Sequence, residues 1–171
     1  MTRTRAALAA LVLTVLPGAL TSGCGIPSSG VMSGGEPATG LTQALRIYYV
    51  RDSALQAVSR PGFTITNPEG SLKLLASGPT RDEQERGLTN LVELRSYSVT
   101  GSGTRITLHA PGTYFGTGPD HLADGQLICT LARAQAFLHK AEKVRPDDVQ
   151  VTLANDESSL GPYRCAQFLA R

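Results

Sequence analysis

The chain has 171 residues, the length of one domain once a targeting segment and a linker are set aside. It carries sixteen Lys and Arg residues against fourteen Asp and Glu residues. If Arg3 and Arg5 are removed with a leader, the balance becomes fourteen against fourteen. Binding to a phosphate backbone needs a basic excess, so this balance argues against nucleic acid as a partner and against a polybasic membrane patch.

Residues 1–23 have the three parts of a secretion signal in the expected order. Arg3 and Arg5 give a positive start, an apolar run follows over residues 6–16, and a Pro-Gly pair then precedes a stretch of small residues. The run has eleven residues, whereas a helix needs about twenty to span a bilayer. We therefore expect a signal peptide over residues 1–23 rather than a permanent transmembrane helix.

Residues 20–25 read LTSGCG and resemble a bacterial lipobox. In that motif the Cys thiolate accepts diacylglycerol, and the signal peptide is then cut just before the modified Cys. Two acyl chains on one residue are enough for stable anchoring. The resemblance implies lipidation of Cys24 and an anchor on the extracytoplasmic face of the cell membrane. The alternative is simple secretion after cleavage at a small residue.

Residues 24–40 are rich in Gly, Ser and Pro and nearly uncharged. This composition predicts a flexible tether, because such residues neither bury apolar surface nor favour a regular backbone. The tether would separate the lipid from one folded domain over residues 41–171.

The three cysteines leave an even pair once Cys24 is assigned to lipid. Outside the cytoplasm Cys129 and Cys165 are expected to form a disulfide across 36 residues of sequence. The alternatives are a metal pair or a redox site, but neither cysteine has CxxC spacing or a nearby His at ligand spacing. The disulfide would pin the C-terminal tail to the long helix described below.

The domain opens with signals for a hairpin and then a helix. Apolar residues alternate over residues 45–50 and recur over 55–58, which predicts two strands joined by a turn. Asn67 is the expected cap of a helix with Pro68 at its first position. Its inward stripe is predicted to consist of Leu72, Leu75 and Ala76.

A second short helix follows at once. Thr80 and Glu83 have the spacing of a capping box, in which each residue's side chain accepts the other's backbone N–H. Gly87 ends this helix.

The second half of the chain predicts a hairpin, a long helix and a last strand. The hairpin turns at residues 101–103, and the helix runs over residues 122–141 with one apolar face toward a sheet. A strand over residues 149–153 completes the order. This order favours an α+β fold with a mostly antiparallel sheet, helices packed on one face, and a single domain.

Several local strings also resemble the GerMN domain, a sporulation and spore-germination module that occurs in actinobacterial lipoproteins. The resemblance covers about residues 42–153 and rests on YVRD at 49–52, LASGPT at 75–80, GLT at 87–89 and the helix segment at 126–131. Members of this family have no established enzymatic activity. The resemblance therefore implies a binding or scaffolding role in the cell envelope.

No catalytic, cofactor-binding or metal site is expected. The histidines at 109, 121 and 139 lack the spacing of metal ligands. The acidic cluster of Asp82, Glu83 and Glu85 could be a carboxylate pair for catalysis. Its place in the first turn of a short helix instead favours a structural role, because carboxylates there complement the helix dipole.

The candidate recognition surface is the Gly-rich loop at residues 112–118, which carries Tyr114 and Phe115. The alternative for this loop is a packed connection from strand to helix. As a whole, the sequence predicts an envelope binding module whose partner is an envelope protein or a wall polymer. The alternative function is an uncharacterised cell-wall-modifying hydrolase, which would need a pocket with a carboxylate pair or a Ser/His pair.

Overall fold

A computed structural model describes residues 44–116 and 121–169. The predicted signal peptide, the Cys24 lipidation site and the 24–40 tether lie outside the described residues. The described residues form the expected single α+β domain. In chain order its elements are β1 (Leu45–Arg51), β2 (Ala54–Arg60), α1 (Glu69–Ala76), α2 (Arg81–Glu85), β3 (Ser98–Ser102), β4 (Arg105–His109), α3 (Leu122–Leu138), two 3₁₀ turns (Lys140–Glu142 and Pro146–Asp148), β5 (Gln150–Ala154), β6 (Ser159–Tyr163) and α4 (Ala166–Leu169).

The first predicted hairpin is confirmed. β1 and β2 pair antiparallel up to Arg51 opposite Ala54. Only Asp52 and Ser53 connect them, with φ angles of 51° and 58°. Positive φ at both central residues matches the twist of the two strands, so this short connection closes the hairpin tightly.

Helix α1 begins close to its predicted cap. The Asn67 side chain accepts a hydrogen bond from the N–H of Gly70 at 3.0 Å, although the regular helix starts at Glu69. Leu72 and Leu75 are buried as predicted. Ala76 was expected to face inward, and that prediction is wrong: Ala76 is exposed and Ser71 is buried. The buried stripe consists of Ser71, Leu72 and Leu75, and Ala76, the last residue of the helix, lies outside it.

Helix α2 has the predicted capping box. The N–H of Glu83 donates to Thr80 Oγ1 at 3.4 Å, and the N–H of Thr80 donates to Glu83 Oε2 at 2.8 Å. Gly87 follows the helix with a φ of +83°. The left-handed backbone there suits glycine, which explains why the helix ends at this point.

The other four strands form a sheet in the order β3-β4-β5-β6. The outer pairs are antiparallel, whereas β4 and β5 are parallel because α3 crosses over between them. Most pairing is antiparallel as expected, but the strands divide between two sheets. The sequence did not predict β6, which contains Pro162; proline is tolerated there because β6 is an edge strand. The turn between β3 and β4 lies at residues 103–104, slightly later than predicted.

Helix α3 contacts β1 of the hairpin and also β4 and β5 of the larger sheet. Twelve of its seventeen residues are buried, so more than the one predicted face is covered. Its buried polar side chains bond to backbone elsewhere. Gln126 Nε2 donates to the carbonyl of Tyr48 at 2.9 Å, the N–H of Tyr48 donates to Thr130 Oγ1 at 3.1 Å, and Gln135 Nε2 donates to the carbonyl of Gly103 at 2.9 Å. The side chains of Gln126 and Thr130 therefore satisfy the buried backbone groups of Tyr48.

The predicted disulfide is present and joins α3 to the tail. Cys129 lies within α3 and Cys165 just before α4, with their Cα atoms 4.6 Å apart. Nearby, a Cβ placed on Gly125 would come within 2.9 Å of side-chain atoms of both Leu55 and Phe168. The tail is thus held against α3 by a covalent bond and by close packing.

Candidate recognition cleft

The predicted recognition loop connects β4 to α3, and the structure describes it as far as Gly116. Its two aromatic residues lie in different environments. Tyr114 is 80% exposed, whereas Phe115 is 5% exposed and belongs to the hydrophobic core. The surface candidate is therefore Tyr114 alone, and Phe115 corresponds to the packed connection that was the alternative for this loop. Residues 117 and 118 of the loop lie outside the described residues.

Tyr114 lines an open cleft of about 650 Å³, which we call the Tyr114 cleft. Three segments form it: residues 91–95 before β3, residues 111–115 after β4, and the beginning of α3. Small-molecule and peptide-sized sites typically have volumes of roughly 300–1,000 Å³. The Tyr114 cleft is therefore large enough to receive a side chain or a short segment of a partner.

Exposed apolar side chains are concentrated in the Tyr114 cleft. Among the described residues, the large hydrophobic side chains that remain exposed are those of Phe63, Leu91, Tyr114 and Leu169. Two of these four, Leu91 and Tyr114, line the same cleft. Isolated exposed apolar residues are ordinary, but an aromatic and an aliphatic side chain exposed in one concave surface indicate a contact site.

Hydrogen bonds hold the segments on both sides of the cleft. The N–H of Leu91 donates to Oε1 of the buried Gln126 at 2.8 Å. In the loop, the carbonyl of Thr113 accepts from Asn155 Nδ2 at 2.9 Å. These bonds tie Leu91 to α3, and they tie the residue before Tyr114 to the turn between β5 and β6. Both exposed side chains therefore project from backbone that is already fixed.

A buried carboxyl lies beside the cleft in the first turn of α3. Asp124 is 4% exposed, and its Oδ2 accepts a hydrogen bond from the N–H of Gly116 at 2.8 Å. The same oxygen lies 3.6 Å from Nδ1 of His121, which is the N-cap residue of α3. Burial raises the pKa of Asp124 to about 6, although His121 and the Gly116 N–H act in the opposite direction. This carboxyl thus joins the loop to α3 and changes its charge near pH 6.

The three histidines lie in different places. His109 is exposed on β4, His121 lines the Tyr114 cleft, and Nδ1 of His139 lies 3.0 Å from Oε1 of Glu142. Within residues 44–116 and 121–169, no group of three or more His, Cys, Asp or Glu side chains could hold a metal ion.

The acidic cluster of α2 is divided between structural contacts. Both carboxylate oxygens of Glu83 accept hydrogen bonds from Arg60, at 2.6 and 2.8 Å. Glu85 pairs on the surface with Arg81 at 3.3 Å, and Asp82 is exposed. Glu83 thus joins the start of α2 to the neighbouring hairpin. This agrees with the structural role that the sequence favoured for the acidic cluster.

Sequence reasoning missed Leu91 and Asp124 as residues of the cleft. Leu91 lies in an apolar stretch that forms neither strand nor helix, and that mismatch was the available signal. Asp124 gave no signal of its own, because an Asp in the first turn of a helix is ordinary.

Comparisons with protein-family models, with curated proteins and with solved structures find no match for this chain. In the described part of the chain, no helix is long and apolar enough to cross a membrane. The resemblance to GerMN domains therefore stays a prediction from the sequence, and the function is argued from the cleft itself.

Proposed function

We propose that this chain is an exported lipoprotein, anchored on the extracytoplasmic face of the cell membrane through diacylglycerol on Cys24. Its GerMN-like domain binds an envelope protein or a wall polymer and catalyses no reaction. The secretion signal and the lipobox support the anchor. The observation that carries the binding role is the exposure of Leu91 and Tyr114 in one cleft.

The energetics of Tyr114 support a contact role. Covering a large apolar side chain contributes roughly 1.5–3 kcal/mol, and tyrosine is enriched among the residues that dominate binding energy. The hydrogen bonds on Thr113 and Leu91 already fix the backbone beside these side chains. Binding would therefore lose little entropy in ordering this surface, so less of the gain from burial would be offset by that cost.

A wall-modifying hydrolase is the second candidate function. It is favoured by the pKa of about 6 of Asp124, which suits proton transfer at neutral pH, and by the position of His121 beside it. The side chain of Asp124 is only 5% exposed, however, and its Oδ2 is engaged with the N–H of Gly116. Those contacts favour a structural role in holding the loop.

Chemical crosslinking of the full chain in intact membranes tests the binding role. Tyr114→Ala should reduce the yield of the crosslinked partner about tenfold or more, since truncating a central tyrosine commonly costs about 2 kcal/mol. Phe63→Ala removes an equally aromatic, exposed side chain outside the Tyr114 cleft and should leave the yield unchanged. Digestion of the adduct with protease or with muramidase identifies the partner as protein or polymer. Equal yields from Tyr114→Ala and wild type would show that the site is wrong.

Two further measurements test the anchor and the absence of catalysis. Cys24→Ala should abolish the lipid mass of the intact chain and its separation into detergent, because no other nucleophile occupies that position. Release of soluble wall fragments by the wild-type chain, lost in Asp124→Asn, would establish the hydrolase in place of the binding module.

A further inference from the structure

A second cleft, of about 380 Å³, lies between the beginning of β1 and the C-terminal end of α3; we call it the basic cleft. Three cations line it: Arg46 from β1, Arg133 from α3, and Lys140 from the 3₁₀ turn that follows. The other lining residues are all apolar and include Phe137 and Val144. Among the described residues, no carboxylate lines the basic cleft.

The cations of the basic cleft are available to a ligand. In the part of the chain that the structure describes, Arg46, Arg133 and Lys140 form no ion pair with a carboxylate. Nε of Arg133 donates to the hydroxyl of Tyr48 at 3.2 Å, which orients the guanidinium through one of its nitrogens. Three like charges around one small cleft repel one another, and an anionic group placed between them would remove that repulsion.

The apolar lining of the basic cleft indicates which kind of anion would bind there. Nζ of Lys140 lies 5.6 Å from the centre of the Phe137 ring, so the ammonium stands directly beside apolar surface. A free inorganic anion would gain nothing from Phe137 or Val144. An amphiphile that joins a phosphate to a hydrocarbon group would use both halves of the lining, because the cations bind the phosphate and the apolar residues cover the hydrocarbon.

The position of the basic cleft in the chain indicates where such an amphiphile would come from. Ala44 also lines it, four residues after the end of the predicted tether at residue 40. The segment from Cys24 to Ala44 can span at most about 70 Å, since an extended chain covers about 3.5 Å per residue. If Cys24 carries the anchor, as the proposed function states, the cleft always stays within that distance of the lipid surface.

We propose that the basic cleft binds the headgroup of an anionic phospholipid from the membrane that carries the anchor. Arg46, Arg133 and Lys140 bind the phosphate, and Phe137 and Val144 cover the glycerol and the start of the acyl chains. This is a site for one headgroup and differs from the polybasic patch that the neutral charge balance argues against. The source of the lipid rests on the proposed anchor, whereas the chemistry of the cleft does not.

Native mass spectrometry of the full chain released from detergent tests this proposal. The probe is dihexanoyl phosphatidylglycerol, with dihexanoyl phosphatidylcholine and inorganic phosphate as comparison ligands. We expect phosphatidylglycerol to bind about tenfold or more tightly than either, because only it offers both a net negative charge and a hydrocarbon group. Equal binding of the two phospholipids, or equal binding of inorganic phosphate, would overturn the proposal.

Matched charge variants locate the binding. The triple variant R46Q/R133Q/K140Q should weaken phosphatidylglycerol binding about tenfold or more. The triple variant K73Q/R105Q/R164Q removes the same number of Lys and Arg charges from exposed positions and should leave it within about twofold. If the first variant unfolds at a lower temperature than wild type, Arg46→Gln alone serves instead, with an expected loss of about threefold. If both triple variants lost phosphatidylglycerol binding equally, the binding would depend on net charge alone, and the proposed site would be wrong.

The remaining outcomes separate the cleft from the anchor. Tighter binding of a hexaglutamate peptide than of phosphatidylglycerol would make the occupant an acidic peptide and overturn the lipid proposal. The intact mass of the same sample reports diacylglycerol on Cys24. An anchored chain without a phospholipid adduct overturns the cleft proposal alone, whereas an adduct on a chain without diacylglycerol overturns the anchor alone.

Discussion

Two buried carboxyl groups occupy the same position in different helices, but their pKa values are shifted in opposite directions. Glu83 is the third residue after the N-cap of α2, and Asp124 is the third residue after the N-cap of α3. Arg60 holds the pKa of Glu83 below its usual range, because it donates two hydrogen bonds to the carboxylate. Burial raises the pKa of Asp124 to about 6. Position in a helix predicts a favourable carboxylate in both cases, but the partners from other elements decide which one stays ionised.

The two regions therefore use their carboxyls differently. The pair of Arg60 and Glu83 links β2 to α2, and the guanidinium also lies 5.5 Å from the centre of the Tyr49 ring. It stabilises a part of the domain that contributes no residue to the Tyr114 cleft. Asp124 lies beside that cleft, and among the described residues its Oδ2 has no Arg or Lys partner; the imidazole Nδ1 of His121 lies 3.6 Å away. The carboxyl without an Arg or Lys partner thus lies at the candidate binding surface, whereas the carboxyl paired with Arg60 joins two elements of the fold.

Removing the charge of Glu83 from its pair with Arg60 should give the largest loss of stability. Glu83→Gln should lower the free energy of unfolding at pH 7 by about 3 kcal/mol, because it leaves the nearly buried charge of Arg60 without a partner. A lowered folded-state pKa contributes stability above the ordinary Glu pKa of about 4.3, and that stability is lost as the pH falls. Urea denaturation from pH 3 to pH 7 should therefore show a shallower loss toward acid in Glu83→Gln than in wild type.

The double variant Arg60→Met with Glu83→Gln controls for simple loss of packing. It removes both charges, so its free energy of unfolding should lie closer to wild type than that of Glu83→Gln alone. A double variant as unstable as the sum of the two single variants would show that the charges do not interact.

Replacing Asp124 by a neutral residue should raise the free energy of unfolding above pH 6, by less than Glu83→Gln lowers it. A raised folded-state pKa means that the contribution to stability is present below the ordinary Asp pKa of about 3.9 and is lost as the pH rises past 6. Asp124→Asn keeps an oxygen that can accept from the Gly116 N–H but never ionises. Its advantage over wild type should therefore be roughly 2 kcal/mol greater at pH 8 than at pH 4. An advantage that does not change between these pH values would contradict the assignment.

The elements whose formation is local could be predicted from the sequence. The hairpin that turns at Asp52, the capping box of Thr80 and Glu83, and the start of α3 all follow from neighbouring residues. The division of the strands into two sheets depends on where α3 packs, and no short pattern records that. Pro162 argues against a strand when only the sequence around it is known. It is tolerated in β6 because β6 lies at the edge of the sheet.

The candidate sites were harder to predict than the fold. Tyr114 could be named because an aromatic residue stood in a Gly-rich loop, but the burial of its neighbour Phe115 required the three-dimensional core. Arg46 is far from Arg133 and Lys140 in the sequence, and each of the three is ordinary by itself. They form the basic cleft only because β1 packs beside α3. Long-range packing thus accounts for the correction at Phe115 and for the omission of these three cations.

The smallest expected change in stability concerns an exposed ion pair on the surface of α2. Arg81 and Glu85 form an i, i+4 pair at 3.3 Å, with side chains 90% and 66% exposed. Water screens both charges and the pair costs side-chain entropy, so Glu85→Gln should lower the free energy of unfolding by less than about 0.5 kcal/mol. Glu83→Gln makes the same chemical change two residues earlier on the same helix. A loss for Glu85→Gln that matched the loss for Glu83→Gln in urea denaturation would attribute both to the charge of α2 itself. A small loss would assign the difference to the buried pair with Arg60.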